Sequence, residues 1–273
     1  MRQSANVQAL TAWPTAVAVA LAATAMLAGC AGDSSIMGDG ANVTATDTKR
    51  MTQSGFLSDY ARLKPTAWGG GIECWHTPAL DAKNYGQVLV SRIVVSLVPP
   101  KDQSGPQTID PSDLKTLTDY FHGALVTALK PQMQIAQQAG PGVLVIRVAL
   151  TDLVPTKVTD SMAGTLIPYG FVVEAGSGAA TGRPAGSTPY MGETGMEMQF
   201  RDGGTGAILA ECRDTEIGRK YAADVDSGTA GAAQTWASGY LNSFQAWSYA
   251  KDAFDKWSLL LAKRVAELRG VKQ

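Results

Sequence analysis

The sequence predicts a mixed α/β fold in one domain: a mixed sheet with a central βαβ unit, an antiparallel hairpin beside it, and a long amphipathic C-terminal helix. Three observations carry this. Two short, nearly continuous apolar runs, Val88–Val98 and Val143–Leu150, bracket a helix-patterned segment. Met196, Met198 and Phe200 alternate with Glu197, Gln199 and Arg201 ahead of a glycine-rich turn. Finally, Trp247, Ala250, Phe254, Trp257, Leu261, Val265 and Leu268 recur at helical spacing and form one apolar stripe.

Val88–Val98 (VLVSRIVVSLV) is β-branched and nearly unbroken, which suits a strand buried on both faces, and Pro99-Pro100 ends it because proline cannot donate to a ladder. The helix that follows has an Asp110 cap, Pro111 at its first position and Asp113 in its first turn. Leu114, Leu117, Phe121, Leu125 and Ala128 form its inward face, and Pro131 stops it. Gly140-Pro141-Gly142 then turns the chain into the second apolar strand, so the two strands are expected to be parallel. Val154–Pro189 is irregular and Gly-rich apart from a candidate strand at Tyr169–Glu174. Asp202–Gly206 reads as the hairpin turn into Ala207–Cys212, and Asp214–Gly239 reads as polar and small. The closing helix spans about Ser243–Arg269, with Asp252 and Lys256 paired at i,i+4 on its wet side and Gly270 as its C-terminal cap.

The N-terminus carries an address. An apolar run from Val17 to Leu27 leads into Leu27-Ala28-Gly29-Cys30, which looks like a bacterial lipoprotein signal peptide. The apolar stretch from Ala12 to Ala28 is broken by Trp13-Pro14 and falls short of the about 20 residues a transmembrane helix needs. The resemblance implies cleavage after Gly29, lipidation of Cys30 with acyl chains such as palmitate, and anchoring to a membrane. Ala31 rather than Asp after that cysteine implies the periplasmic face of the outer membrane. The expected organisation is a signal peptide at 1–29, a flexible tether at 30–53, rich in Gly, Ser, Thr and Asp, and a single α/β domain at 54–273.

The formal net charge is −1, and the densest basic spot, Lys263-Arg264 with Arg269 and Lys272, lies on a helix face, so nucleic acid is not an expected partner. With Cys30 lipidated, Cys74 and Cys212 remain, an even pair in an oxidising compartment. They are either a disulfide or two separate buried thiols.

Three segments carry a further resemblance. Ser54–Pro65 (SGFLSDYARLKP), Val148–Leu153 (VALTDL) and Met196–Asp202 (MEMQFRD) resemble the bacterial lipoprotein family catalogued as domain of unknown function 3313, and the helix through Trp257 and Leu261 is similar too. Together they cover most of Ser54–Gly270. The resemblance implies an address and a fold, without a reaction.

Catalytic patterns are weak. Asp226-Ser227-Gly228-Thr229 has the form of an aspartic-protease motif but lacks an apolar strand before it and a second copy. Gly32-Asp33-Ser34 lies in the tether, where no oxyanion hole could be held rigid. Cys74, His76 and Cys212 fall short of the four ligands of a structural zinc site, and a Cys74–His76 nucleophile pair needs a strand that aims both side chains one way. Gly176–Arg183 misses Walker spacing and its lysine. No metal, cofactor or catalytic set is assigned. The expected role is a non-enzymatic binding or accessory lipoprotein for an envelope protein, peptidoglycan or a small apolar ligand; the alternative is a cell-wall or lipid hydrolase. Trp68, Trp75, Tyr169, Tyr190 and Trp236, aromatics read into or beside Gly-rich loops, are the candidate binding residues.

Overall fold

The computed structural model describes residues 43–46, 49–66, 71–97, 109–158, 183, 187–188, 191–218 and 245–270. All of them belong to one compact unit. The strands are β1 (Val43–Ala45), β2 (Lys64–Pro65), β3 (Glu73–His76), β4 (Gln87–Val90), β5 (Val94–Val95), β6 (Gln134–Ile135), β7 (Val143–Val154), β8 (Glu193–Asp202) and β9 (Ile208–Gly218). The helices are α1 (Pro111–Leu129) and α2 (Ser248–Arg269). The sheet runs β2-β3-β9-β8-β7-β4-β6, with β1 beside β9 and β5 beside β7. β4 pairs parallel with β6 and β7, β5 pairs parallel with β7, and the remaining pairs are antiparallel. This is the mixed α/β domain the sequence predicts, but the parallel β4–α1–β7 unit lies toward the β6 edge of the sheet rather than at its centre, which the long antiparallel β8 occupies.

Of the boundaries that differ from expectation, three change what the sheet carries. The run Val88–Val98 does not form one strand. Val90 lies opposite Ile146 and Val94 opposite Ala149, so one side carries an extra residue and the ladder bulges at Ser91–Ile93. The bulge turns Ile93 into the core. The tether assigned to 30–53 is overtaken at its end, because Val43–Ala45 pairs with Gly218–Glu216 and buries Val43. β9 also continues to Gly218 through Asp214, Thr215 and Glu216, where the polar composition suggested a loop. All three side chains are buried, and Asp214 and Glu216 are partnered by α2. Tertiary contacts there override local strand propensity.

The helices take the caps the sequence signals. Asp110 accepts from Ser112 N–H at 2.7 Å with Pro111 behind it, and Gly270 adopts φ 73°, a left-handed cap that a side chain would strain. α1 and α2 lie side by side on one face of the sheet. Phe121 and Phe254 stack at 4.5 Å between centroids, with Trp257 tilted against both. Burial of side chains this large contributes about 1.5–3 kcal/mol each. Val88, Ile146, Val148, Leu150, Met196 and Met198 supply the sheet's share of the core. Among the described residues no helix is long and apolar enough to cross a membrane.

Candidate functional site

The sheet's other face is polar, and an N-terminal strap covers it. Alternation along β8 and β9 sends Met196, Met198 and Cys212 toward the helices, and Glu197, Gln199, Glu211 and Arg213 the opposite way. Thr52–Arg62 crosses those side chains. Glu197 accepts from Ser54 N–H (3.0 Å), the Ser54 hydroxyl (2.6 Å) and the Tyr60 hydroxyl (2.9 Å). Glu211 accepts from Ser58 N–H and hydroxyl, both at 2.8 Å, from Gln199 Nε2 at 2.7 Å, and from the Arg62 guanidinium. Gln199 Nε2 also donates to Phe56 O at 3.0 Å, and the Thr52 hydroxyl donates to Asp152 at 2.5 Å. Glu197 and Glu211 have no exposed surface. Buried carboxylates persist only when partnered, and the strap supplies the donors. The strap therefore ties Ser54–Pro65, Val148–Leu153 and Met196–Asp202, the three segments that carry the family resemblance, into one cluster.

The electrostatics follow from this packing. Burial pushes the Glu211 carboxyl up, but Arg62, both donors of Ser58 and Gln199 outweigh it and hold the group below the usual carboxylate range. Burial raises Asp152, which the Thr52 and Thr151 hydroxyls only partly offset, and the negative Glu197 adds to the rise. Tyr60 is raised by burial and by its bond to Glu197. Asp152 occupies a bulge in β7 between Leu150 and Leu153, opposite Gly195. A Cβ on Gly195 would lie 2.4 Å from both Asp152 Oδ2 and Thr151 Oγ1, so only glycine leaves room for them.

A second acidic pair lies under α2. The Trp257 indole N–H donates to Asp214 Oδ2 at 2.7 Å, and Lys256 Nζ reaches Glu216 Oε1 at 2.5 Å. Lys256 is thus enclosed rather than on the wet side of its helix, its side chain being 12% exposed. Burial, then the charge of Glu216, pushes Asp214 well above the usual carboxylate range. Both acids have 1% exposure, so their work is to join α2 to β9.

Cys74 and Cys212 face each other across the antiparallel β3–β9 pair and are joined by a disulfide with a Cα–Cα distance of 4.1 Å. In this oxidised form neither offers a thiolate to a substrate or a metal. The disulfide lines a cavity of about 380 Å³ between α2 and the β2–β3 pair. Leu261, Val265 and Leu268 line one wall and Phe200 and Leu80 another, with Lys64, Thr66, His76 and Arg264 also contributing. A more open hollow of about 500 Å³ lies between β5 and α1. There Lys115 and Asp119 pair with each other, and His122 Nε2 lies 3.2 Å from Val90 O.

Of the candidate aromatics, Trp75 alone falls among the described residues. It sits on β3 rather than in a loop, half-buried, with the Arg62 guanidinium 3.4 Å from its ring centroid. Trp68, Tyr169, Tyr190, Trp236 and the lipidation candidate Cys30 lie outside the described residues, as do the Tyr169–Glu174 strand, the Gly176–Gly182 part of the glycine-rich loop and the Asp226–Thr229 motif. Sequence reasoning missed the strap's grip on Glu197 and Glu211, because an acid alternating with apolar residues on a hairpin reads as a wet face. The available signal was the density of hydroxyl and guanidinium donors in Ser54–Arg62. Among the described residues no three His, Cys, Asp or Glu side chains converge to hold a metal ion.

No curated protein matches the chain. Among solved structures it is similar to the PelC dodecamer from Paraburkholderia phytofirmans, at 14% identity and a TM-score of 0.30 over 65% of this chain and 100% of that one. It is also similar to a DUF4136 family protein from Bacteroides thetaiotaomicron, at 13% identity and a TM-score of 0.27 over 66% and 97% of the two chains. A third is protein XCC0632 from Xanthomonas campestris, family DUF330, at 13% identity and a TM-score of 0.29 over 70% and 94%. Residues 52–261, which run from the first residue of the strap to the apolar stripe of α2, match the family described as "Protein of unknown function (DUF3313)", and the chain belongs to that family.

Proposed function

We propose that this chain is a non-catalytic binding or accessory protein, anchored through lipid on Cys30 at the periplasmic face of the outer membrane. The observation that carries the reading is the contrast between where the described acids lie and what lines the cavity. The described acids with the most unusual environments, Asp152, Glu197, Glu211, Asp214 and Glu216, are buried among intramolecular partners. The cavity of about 380 Å³ has largely apolar walls and no Asp or Glu in its lining. General acid–base hydrolysis needs titratable groups within reach of a substrate, whereas recognition needs accessible apolar surface with a few polar groups. The Leu27–Cys30 motif supports the anchor.

Two measurements test this. Metabolic labelling with an alkyne palmitate should mark the protein and should fail on Cys30→Ser; an unlabelled wild type removes the anchor from the proposal. In-cell photo-crosslinking from positions 68, 75, 169, 190 and 236 should capture one reproducible envelope partner, lost when the capturing aromatic is replaced by Ala. Cell-wall or lipid hydrolysis by the purified chain would instead establish the hydrolase.

A further inference from the structure

The geometry points to a ligand for the cavity between α2 and the β2–β3 pair: a single acyl chain ending in an anionic head group. This inference rests on the reading of the chain as a binding protein and names what that site would take. Leu261, Arg264, Val265 and Leu268 recur at i, i+3, i+4 and i+7, so one face of α2 looks into the cavity, separate from the Phe254–Trp257 contact with α1. Leu268 is 40% exposed although it continues the apolar stripe, and Phe200, Leu80 and Leu261 are only partly buried. The apolar surface thus stays open to solvent along a trough, within the range of about 300–1,000 Å³ common for small-molecule sites.

The polar lining is one-signed. Lys64 and Arg264 contribute permanent positive charge, and the lining contains no carboxylate. Arg264 is partly committed, since its guanidinium contacts Glu267 at 3.0 Å on the exposed side of the helix. Lys64 is exposed. An apolar trough flanked by cations and lined by no carboxylate favours a chain with an anionic end over a neutral or cationic one.

The test uses the full chain carrying Cys30→Ser, so that no acyl group of its own competes. Binding of laurate, dodecanol and dodecyltrimethylammonium is measured by calorimetry, and a photoactivatable laurate is mapped by peptide mass spectrometry. The expected result is saturable one-to-one laurate binding with labels on 64–66 and 261–268. Lys64→Glu, at an exposed position, should weaken laurate by about tenfold and leave dodecanol within about threefold. Leu261→Trp, checked for an unchanged thermal melt, should weaken both by filling the trough. If dodecanol binds there as tightly as laurate, or Lys64→Glu affects neither, the anionic-head assignment is overturned while the binding-protein reading stands. If no chain binds but the crosslinks of the preceding section capture one envelope protein, the ligand inference alone fails. If neither occurs, both fail.

Discussion

Replacing Glu211 by Gln changes one oxygen for an amide and should weaken the folded state by about 2 kcal/mol at pH 7. Four donors converge on this side chain: two from Ser58 at 2.8 Å, Gln199 Nε2 at 2.7 Å, and the Arg62 guanidinium. A glutamine oxygen can still accept from about two of them, but its NH₂ then faces donors. The two lost bonds are charge-assisted, a class contributing roughly 1.5–3 kcal/mol each. Arg62 is 26% exposed and can swing into water, which brings the total down to about 2 kcal/mol. Urea unfolding of both proteins at pH 7 measures the difference, and hydrogen exchange locates it, because Ser58 N–H and its neighbours in 54–62 should lose protection before β7 does. The pH dependence carries a sign. Folding lowers the Glu211 pKa, so its contribution is complete above the unfolded carboxylate range and disappears as pH falls through the folded value. The cost of Glu211→Gln should therefore shrink steadily below about pH 4. A cost under about 0.5 kcal/mol at pH 7, or one equal at pH 7 and pH 3, would show that the strap is not held by this charge.

Asp214 should respond in the opposite direction. Folding raises its pKa, so the folded chain keeps a proton that the unfolded chain releases, and stability falls as pH rises from the ordinary carboxylate value through the folded one. Asp214→Asn leaves an oxygen for the Trp257 N–H and offers an N–H to Glu216. It should stabilise the fold at pH 7 to 8 and approach neutrality near pH 4; thermal melts showing destabilisation at pH 8 would overturn the reading that burial raises Asp214. Cys74→Ser with Cys212→Ser opens a disulfide spanning a sequence separation of 138, for which the chain-entropy model gives about 5 kcal/mol. Equal urea midpoints for the double variant and the oxidised protein would rule out a stabilising bridge. Gly218→Ala places a Cβ 2.6 Å from Tyr249 Cγ, so β9 or α2 must shift at a cost of about 1–3 kcal/mol; an unchanged melting temperature would show that the helix is free to move.

Much of the fold is legible locally. Pro111 behind Asp110, the stripe through Leu117, Phe121 and Leu125, and the cap at Gly270 are signals carried within a few residues, and the structure reproduces them. The parallel pairing of β4 with β7 follows from two apolar runs joined by that helix, since a parallel crossover needs a connection of this length. The site was less legible. Trp75, read as a loop aromatic, lies on β3 beneath Arg62 and in the lining of the cavity. Lys256 promised a surface pair and reaches Glu216 across 40 residues of sequence.

By itself the sequence determined what depends on period and punctuation: which stretches are helix or strand, where they start and stop, which side chains share a face, and which family the chain resembles. Only the tertiary structure decided what those faces meet. Glu197 and Gln199 have the spacing of a wet strand face, and nothing within β8 shows that Ser54, Phe56 and Tyr60, more than 130 positions away, cover them. Whether a carboxylate is solvated, paired or held protonated depends on dielectric and on donors within about 3 Å. Those distances are created by chain folding across long separations, and no local pattern encodes them.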